Sequence, residues 1–382
     1  MKILQINASY KPAYLYGGPT MSVSKLSEEL VAAGHYTEVY TTTANGSDEL
    51  PVTVNKPVNV DGVGVTYFRR ITKDHSHLSP RLLKAVWQNV KTFDVVHINA
   101  WWNAVSVLSC WLAVVRGVPV IISPRGMLST YSFKNRNSLF KTGIHTLLGK
   151  RLLAKCGIHV TSPYEEVAVR HIINPGFIAD IPNFIELGEI GTNADKEVSG
   201  VLKLLFLSRI EEKKGLDILL DALVNVKAAY HLTIAGSGDE DYINKLKLVV
   251  QKHELAANVT WTGFVKESKF DLLKQHHLLV LPSHDENFGN VVIESLSVGT
   301  PVLISNKVGL AKYIQDNKLG WVCNTSADDF STFINRINEQ RDEIKAISKI
   351  APPIIYRDFN EALLVKRYIQ MYQQYINYRS HK

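Results

Sequence analysis

Short runs of apolar residues, rich in Val, Ile and Leu, alternate along the whole chain with longer segments of helical periodicity. Several of the runs are continuously apolar, which is typical of parallel strands that are buried on both faces. The segments between them, such as 21–34 and 215–227, repeat apolar residues at helical spacing. The pattern predicts a repeated βαβ arrangement and therefore an α/β fold with parallel sheets. The predicted strands are 2–7, 37–43, 64–70, 95–99, 119–124, 158–163, 178–183, 202–208, 230–236, 258–263, 277–283, 301–305 and 320–323.

The length of 382 residues favours two domains rather than one core. A polar stretch rich in Gly, Asn, Asp and Ser at 184–201 marks the break between them. We expect an N-terminal domain at 1–185 and a C-terminal domain at 186–352. A closing amphipathic helix at 353–382 is expected to pack back towards the N-terminal domain. Both domains are predicted to be doubly wound and Rossmann-like and to face a cleft, with ligands beyond the carboxyl ends of the strands.

Composition excludes several classes of protein. No apolar run approaches the roughly 18 residues that a membrane span needs. The N-terminus becomes polar at Gln5 and Asn7, which favours a first strand over a signal peptide. The three cysteines are far apart and form no CxxC, as expected in a reducing cytoplasm.

Positive charge is concentrated in the first half of the chain. Residues 1–185 contain 19 Lys/Arg and 11 Asp/Glu, whereas the remainder is close to neutral. The stretch 125–164 contains seven basic residues and no acid, interleaved with Leu and Phe. Such a helix can lie on an anionic membrane surface, or it can pack on the core with a solvated basic face. No nucleic-acid-binding motif accompanies the charge, so nucleic acid is not an expected partner.

A glycine-containing turn precedes the first predicted helix. Gly17 and Gly18 lie in YGGPT after the first strand, where the lack of a Cβ lets backbone amides approach a phosphate or sugar. This turn alone is weak evidence, and no GxGxxG or GxxxxGK[ST] occurs in the chain, which argues against a nicotinamide dehydrogenase and a P-loop NTPase.

In the second half, charged residues follow two predicted strands. Arg209 and Lys214 lie after 202–208, where they could neutralise a diphosphate or simply form a solvated turn with the neighbouring acids. The stretch PSHDENFGNVVIES, residues 282–295, follows another strand and leads into a helix. Its glycine-containing turn predicts a helix N-terminus suited to an anion, with Glu286 before the helix and Glu294 inside it. An ordinary helix with a first-turn acid is the competing interpretation.

Taken together, these motifs resemble the retaining glycosyltransferases of family 4, which have the GT-B fold and an E-x7-E signature. The resemblance rests on SRIEEKKGLDILLDAL, IAGSGDED, VTWTGFV and VLPSHDENFGNVVIESLSVGTPVL, in that order, together with GGP, DVVHIN and IPNFIE. It covers nearly the whole chain and implies that the domain at 1–185 binds the acceptor and that the domain at 186–352 binds the nucleotide sugar. It implies a transferase that moves a sugar from a nucleoside-diphosphate sugar to an acceptor with retention of anomeric configuration.

The resemblance also implies roles for individual residues. Arg209, Lys214 and Glu286 would be catalytic, with the two cations on the diphosphate and Glu286 at the transferred sugar. Glu294 would bind the ribose, and the backbone near Phe264 and Val265 would meet the base. The implied donor-binding set is Gly17, Gly18, Arg209, Lys214, Phe264, Val265, Glu286, Asn287, Phe288, Gly289, Asn290, Val291 and Glu294.

Three positions depart from the family pattern. Asn287 replaces a glycine common in relatives, Asn99 stands where many have a second histidine, and Arg125 follows a strand where some place a histidine. These changes affect the donor-sugar pocket and the acceptor side. The candidate acceptor-binding residues are His97, Asn99, Trp101, Trp102 and Arg125. For the tryptophans, stacking on a sugar and packing in the core are both open.

We predict no metal and no cofactor besides the donor substrate, a UDP- or GDP-sugar. The acids of 239–241 have the DxD form of metal-dependent glycosyltransferases of another fold, but at a helix start they are better explained as caps. The expected function is assembly of surface polysaccharide or glycoconjugate, on a glycan or lipid-linked acceptor. The expected location is the cytoplasm, with peripheral binding to the inner face of the membrane as a further hypothesis. The alternatives are a GT-B sugar-nucleotide epimerase and a non-catalytic sugar-nucleotide-binding subunit.

Overall fold

The computed structural model describes residues 1–129, 149–189, 198–265 and 268–381. The chain divides into two compact units, which we call unit 1 (Met1–Ile185 with Glu361–Lys382) and unit 2 (Glu186–Asn360). Each unit is a Rossmann-like α/β unit with a mostly parallel sheet. The predicted fold class is therefore confirmed.

In the described part of unit 1, ten strands and five helices precede the C-terminal helix. The strands are β1 Lys2–Ile6, β2 Tyr36–Thr42, β3 Ala44–Asn45, β4 Asp48–Glu49, β5 Pro57–Val60, β6 Val63–Phe68, β7 Val95–Asn99, β8 Val120–Ser123, β9 Gly157–Val160 and β10 Ile178–Asp180. The helices are α1 Gly18–Ala32, α2 Pro80–Asn89, α3 Ala104–Val115, α4 Lys150–Leu153 and α5 Pro163–Ile172.

The main sheet of unit 1 has the order β10-β9-β8-β7-β1-β2-β6-β5, and only the edge strand β5 is antiparallel. From β1 the chain proceeds to one side through β2 and β6, and then returns to the other side at β7. The strand order therefore reverses between β1 and β7. In open parallel sheets, ligands bind beyond the carboxyl ends of the strands at such a reversal point.

Unit 2 follows the same plan with six strands and seven helices among its described residues. The strands are β11 Leu202–Leu207, β12 Tyr230–Ala235, β13 Val259–Gly263, β14 Leu278–Leu281, β15 Val302–Ser305 and β16 Gly320–Cys323. The helices are α6 Leu216–Leu223, α7 Glu240–Lys252, α8 Lys269–Gln275, α9 Asn290–Ser297, α10 Ala311–Asn317, α11 Ala327–Glu339 and α12 Arg341–Asp358. The sheet is parallel throughout with the order β13-β12-β11-β14-β15-β16, so its order reverses between β11 and β14.

The C-terminal helix, α13 Glu361–Ser380, belongs to unit 1. Its residues Tyr368, Met371, Tyr372 and Tyr375 are buried together with strand residues such as Ile3. Burial of large aromatic side chains dominates the energetics of a core. The helix is thus part of the core of unit 1, and it brings the phenol groups of its tyrosines against a buried face of the unit 1 sheet.

Each of the thirteen predicted strands corresponds to an observed strand, with ends that differ by a few residues. The sequence pattern missed β3, β4 and β5, because two of them are two residues long and β5 begins with a proline. The predicted boundary at 352/353 falls inside α12, since the pair Pro352 and Pro353 lies within that helix rather than at its end.

Parts of two predicted features lie outside the described residues. The structure does not describe Lys134, Arg136 and Lys141, which are three of the seven basic residues of the stretch 125–164. It also does not describe the middle of the polar stretch 184–201. Among the described helices, none combines the length and apolar character needed to cross a membrane.

Candidate functional site

The second-half motifs meet at one edge of the unit 2 sheet. Because all six strands are parallel, the segments that follow them lie side by side in the order of the sheet. The segment after β13 contains Phe264, the segment after β11 contains Arg209 and Lys214, and the segment after β14 contains Glu286. The last two flank the reversal point between β11 and β14, which is where a ligand is expected.

Glycines allow these segments to pack backbone to backbone. A Cβ at Gly238 would lie 2.0 Å from the carbonyl oxygen of Ile210, and one at Gly215 would lie 2.2 Å from that of Pro282. Gly215 also has a φ of 68°, in the left-handed region that favours glycine. The segments after β12, β11 and β14 are therefore held together closely enough to present their side chains as one group.

Two lysines in consecutive positions pair with two acids in consecutive positions. The Nζ of Lys214 bonds to Oε2 of Glu286, and the Nζ of Lys213 lies 3.0 Å from Oδ2 of Asp285. The backbone reinforces this pairing, since the amide of His284 donates to the carbonyl of Lys213 at 2.9 Å. Residues 72 apart in sequence thus form a ladder of opposite charges across the reversal point.

The electrostatics of Glu286 are dominated by these cations. Burial alone would raise its pKa, but Lys214, Lys213 and Arg209 together lower the pKa below its usual value. Arg209 itself is half exposed and lies 2.6 Å from Glu211 through its Nη1. Glu286 is therefore an ionised carboxylate inside a cationic cluster, with the Arg209 guanidinium accessible to solvent.

The segment that carries Glu286 is fixed by backbone hydrogen bonds to the segment after β15. The Glu286 amide donates to the carbonyl of Lys307 at 3.0 Å, and its carbonyl accepts from Gly309 at 2.8 Å. The chain then turns at Gly289, whose φ of 95° is left-handed, and enters α9 at Asn290. Phe288 anchors the turn by packing against Phe359 at a centroid distance of 6.3 Å.

The N-terminus of α9 therefore points its first amides to the same edge as Arg209 and Lys214. Gly289 offers no side chain as a cap, so the first turn is not covered by its own N-cap residue. A helix N-terminus next to two cations is a suitable place for phosphate oxygens.

Glu294 lies one turn further along α9, and its partner was not identified from the sequence. The Nζ of Lys269 lies 3.0 Å from Oε1 of Glu294 and 3.7 Å from Oε2 of Glu186. Burial raises the pKa of Glu294, and Lys269 opposes that rise. The two glutamates of the E-x7-E spacing thus have separate lysine partners and opposite pKa shifts.

Phe264 and Val265 follow the edge strand β13. The carbonyl of Gly263 accepts a hydrogen bond from Gly236 at 2.7 Å, which places this segment beside the segment after β12. The Phe264 side chain is 61% exposed, which is unusual for a large apolar residue. It is available to a flat ligand at the same edge of the sheet.

The candidates of unit 1 form a separate group at the carboxyl edge of their own sheet. Gly17 has a φ of 67° and immediately precedes α1, whose first residue is Gly18. Asn7, directly after β1, is more than nine-tenths buried, and within the described chain neither polar atom of its side chain has a hydrogen-bond partner. Asn7 was not among the site residues predicted from the sequence, although its position as a polar residue at the end of the central strand was an available sign.

Arg125 follows β8 with a φ of 52°, which is uncommon for a residue other than glycine. Its Nε and Nη2 donate to Oδ1 of Asn99 at 3.0 and 2.9 Å, and its Nη1 donates to Oδ1 of Asn183. The nearby carboxylate of Glu165 is engaged by the amides of Gly126 and Thr161. Arg125 is thus held rigidly, because all three of its guanidinium nitrogens donate hydrogen bonds to side-chain amide oxygens.

His97 and Trp101 are not placed to touch an acceptor. His97 is fully buried, with Nδ1 2.8 Å from the Tyr372 hydroxyl and Nε2 2.6 Å from the Ser123 hydroxyl. Trp101 is part of the hydrophobic core of unit 1. Their prediction as acceptor-binding residues is corrected on this evidence. Trp102 remains half-buried, with its Nε1 donating to the carbonyl of Met127 at 2.6 Å.

Of the acids at 239–241, Asp239 is the N-cap of α7, and Glu240 and Asp241 lie in its first turn. The Asp239 side chain accepts from the amide of Tyr242 at 3.0 Å, as expected for an N-cap residue. Within the described ranges, no three His, Cys, Asp or Glu side chains come together as a metal site would require.

Comparison with known proteins gives two family matches that together cover most of the chain. The model described as Glycosyltransferase Family 4 matches residues 16–189, and the model described as Glycosyl transferases group 1 matches residues 193–352. An uncharacterized glycosyltransferase of Methanocaldococcus jannaschii is 25% identical, with 98% of each chain covered.

Solved structures show the same fold. A sucrose-phosphate synthase from Thermosynechococcus elongatus is 20% identical and superimposes with a TM-score of 0.75 over 98% of both chains. Anabaena HepE in complex with UDP-glucose is 18% identical, with a TM-score of 0.73 and full coverage of both chains. The fold is that of the GT-B glycosyltransferases.

Proposed function

We propose that the chain transfers a sugar from a nucleoside diphosphate to a glycan or lipid-linked glycan, with retention. The matches of its first half to the glycosyltransferase family 4 model and of its second half to the group 1 model support this proposal. The observation that carries this proposal is the Lys214–Glu286 pair beside Arg209 at the reversal point of unit 2. The expected setting is the assembly of a surface polysaccharide or another glycoconjugate.

The donor diphosphate would bind between Arg209, Lys214 and the first amides of α9. The leaving group gains negative charge as the glycosidic bond breaks, so cations and amides fixed in place stabilise the transition state more than the ground state. Lys214 would then be shared between Glu286 and a phosphate oxygen. A donor phosphate oxygen on the same face could accept the proton of the attacking hydroxyl, which is compatible with retention and with catalysis without a metal.

Glu286 would lie at the sugar. Its lowered pKa keeps it ionised at neutral pH, so it can accept hydrogen bonds from sugar hydroxyls and stabilise positive charge at the anomeric carbon. Phe264, exposed at the sheet edge, would contact the base with Val265. The complex of Anabaena HepE with UDP-glucose supports a UDP-sugar as one candidate donor.

On the acceptor side, we assign binding to Arg125, Asn99 and Trp102. The Arg125 guanidinium is a cation that donates hydrogen bonds to the neutral side-chain oxygens of Asn99 and Asn183, so an anionic group of an acceptor would be attracted to it. His97 would act only through Tyr372 and Ser123, as part of the support beneath this surface.

The proposal is tested by incubating the protein with a panel of UDP- and GDP-sugars, with and without a glycolipid-rich extract, and following nucleoside diphosphate release. For one donor of the panel, we expect nucleoside diphosphate to be released only when the extract is present. The Arg125→Ala variant should bind the nucleotide as the wild type does but lose transfer. Conversion of the donor to another nucleotide sugar without acceptor would contradict the proposal, as would no release with any combination.

Glu294 provides a separate prediction about donor binding. If its carboxylate accepts hydrogen bonds from the ribose, Glu294→Gln should raise the KM for the donor by about tenfold or more with little change in kcat. The loss arises because an uncharged amide replaces the charged acceptor. Steady-state kinetics measure this, with Asp271→Asn, an exposed acid on α8, as the matched control. A fall in kcat at constant KM would place Glu294 at the reacting centre instead.

A further inference from the structure

The outer surface of helices α2 and α3 in unit 1 exposes large apolar side chains. Trp87 on α2 is 43% exposed, and Trp111 and Val115 on α3 are 52% and 55% exposed. The exposed residues Leu108, Trp111 and Val115 are spaced by three and four positions, so they form one stripe along α3. The two helices pack side by side, so the tryptophans belong to one continuous surface, which we call the α2–α3 face.

Basic residues surround the apolar stripe. Arg81, Lys84 and Lys91 are exposed, and they recur at spacings of three and seven residues along α2 and the turn after it. The guanidinium of Arg116, at the end of α3, lies 4.7 Å from the centre of the Trp87 ring and joins the two helices. The short helix α4, which packs against α3, adds the exposed side chains of Lys150 and Arg151.

Acidic residues are scarce in this part of the chain. Between residues 75 and 164 there are eleven Lys or Arg and a single acid, Asp94. Asp94 accepts a hydrogen bond from the amide of Lys2 at 2.7 Å. A surface that combines exposed tryptophans with uncompensated cations differs from an ordinary solvated helix face, where both signs of charge are interspersed.

We infer that the α2–α3 face docks on an anionic phospholipid surface. Tryptophan favours the boundary between headgroups and acyl chains, because its ring is apolar and its N–H is polar. Cations beside it are attracted to anionic headgroups, and the two effects add on one face of a protein. The basic residues around the apolar stripe favour a lipid surface over a second copy of the chain, because two identical basic faces would repel each other.

This inference centres the membrane surface on α2 and α3, with Lys150 and Arg151 as its contribution from the stretch 125–164, for which the sequence left membrane binding and core packing both open. Trp87 and Trp111 precede that stretch, and their exposure depends on how α2 and α3 pack. The inference is independent of which donor and acceptor the protein uses. A lipid-linked acceptor would be presented at such a surface.

The test is co-sedimentation of the full chain with vesicles of phosphatidylcholine alone and of phosphatidylcholine with phosphatidylglycerol. At low salt we expect binding to the anionic vesicles only, with a blue shift of tryptophan emission. The double variant Lys84→Glu/Trp111→Ser should weaken the partition coefficient at least tenfold, since charge reversal removes one attraction and adds one repulsion. High salt should also lower the partition coefficient of the wild type, because it screens the attraction between the basic residues and the headgroups.

The matched control is Lys245→Glu/Leu248→Ser, which makes an equivalent pair of exposed changes on α7 of unit 2. It should bind vesicles like the wild type. Equal loss in both double variants, or full binding by Lys84→Glu/Trp111→Ser, would overturn the inference. The inference would also be overturned if the wild type did not bind anionic vesicles. If light scattering then showed a dimer that Trp111→Ser abolishes, the face would bind a second copy of the chain instead of a membrane.

Discussion

Replacing Lys214 with alanine is expected to lower the kcat of sugar transfer by about 100- to 1,000-fold. That is the usual cost of removing one preorganised group that stabilises charge in the transition state. Lys214 is the cation bonded to Glu286, so its loss also removes the main partner that lowers the pKa of that carboxyl. The donor KM should change less than kcat, because the charge of the leaving group grows during the reaction.

Steady-state kinetics with the cognate donor measure this effect. Lys312→Ala is the matched control, since Lys312 pairs with Asp316 on the exposed face of α10 and should leave kcat unchanged. Lys214→Arg should retain part of the activity, because it keeps the charge while changing its geometry. An alanine variant within threefold of wild-type kcat would exclude Lys214 from the reacting centre.

Lowering the pH from 7 to 5 is expected to destabilise unit 1, by about 2 kcal/mol each for the buried histidines His159 and His77 and in the same direction for His97. Burial, together with the charge of Arg125, lowers the pKa of His159 to about 3. Burial, with Arg70 nearby, lowers the pKa of His77 to about 4, and His97 is lowered well below its usual value. The unfolded chain takes up these protons below about pH 6.5 while the folded chain does not, so stability falls as the pH falls.

Urea denaturation at pH 7 and pH 5, followed by tryptophan fluorescence, measures the loss. His159→Gln should reduce the difference between the two pH values by about 2 kcal/mol, because the titrating group is gone. The exposed His171→Gln on α5 is the control and should leave the difference unchanged. An unfolding free energy that is the same at both pH values in the wild type would contradict the expectation.

The sequence predicted the strands and the segments that follow them, because both depend on local patterns. Continuous apolar runs identify buried parallel strands, and polar or glycine residues after them identify the carboxyl edge. Arg209, Lys214 and Glu286 were selected in this way, and the structure brings them together. The cap role of Asp239 also follows from local chemistry and is confirmed.

The pairings and exposures that could not be predicted from the sequence depend on contacts between residues that are far apart in the chain. Lys269 pairs with Glu294 across 25 positions, and nothing near either residue indicates the other. His97 and Trp101 follow the rule that residues near strand ends line a ligand site, but packing of α13 against the sheet places the Tyr372 hydroxyl on His97. The exposure of Trp87 and Trp111 is likewise a result of helix packing rather than of local pattern.

The most direct test of the central claim is a thermal-shift panel of UDP, GDP, ADP, CMP and NAD on the wild type, Arg209→Ala and Lys214→Ala. We expect one nucleoside diphosphate to stabilise the wild type, by about 2.7 kcal/mol at 100 times its dissociation constant, and both variants to lose the shift. Stabilisation that persists in both variants, or no response to any nucleoside diphosphate, would contradict a donor site at the reversal point of unit 2.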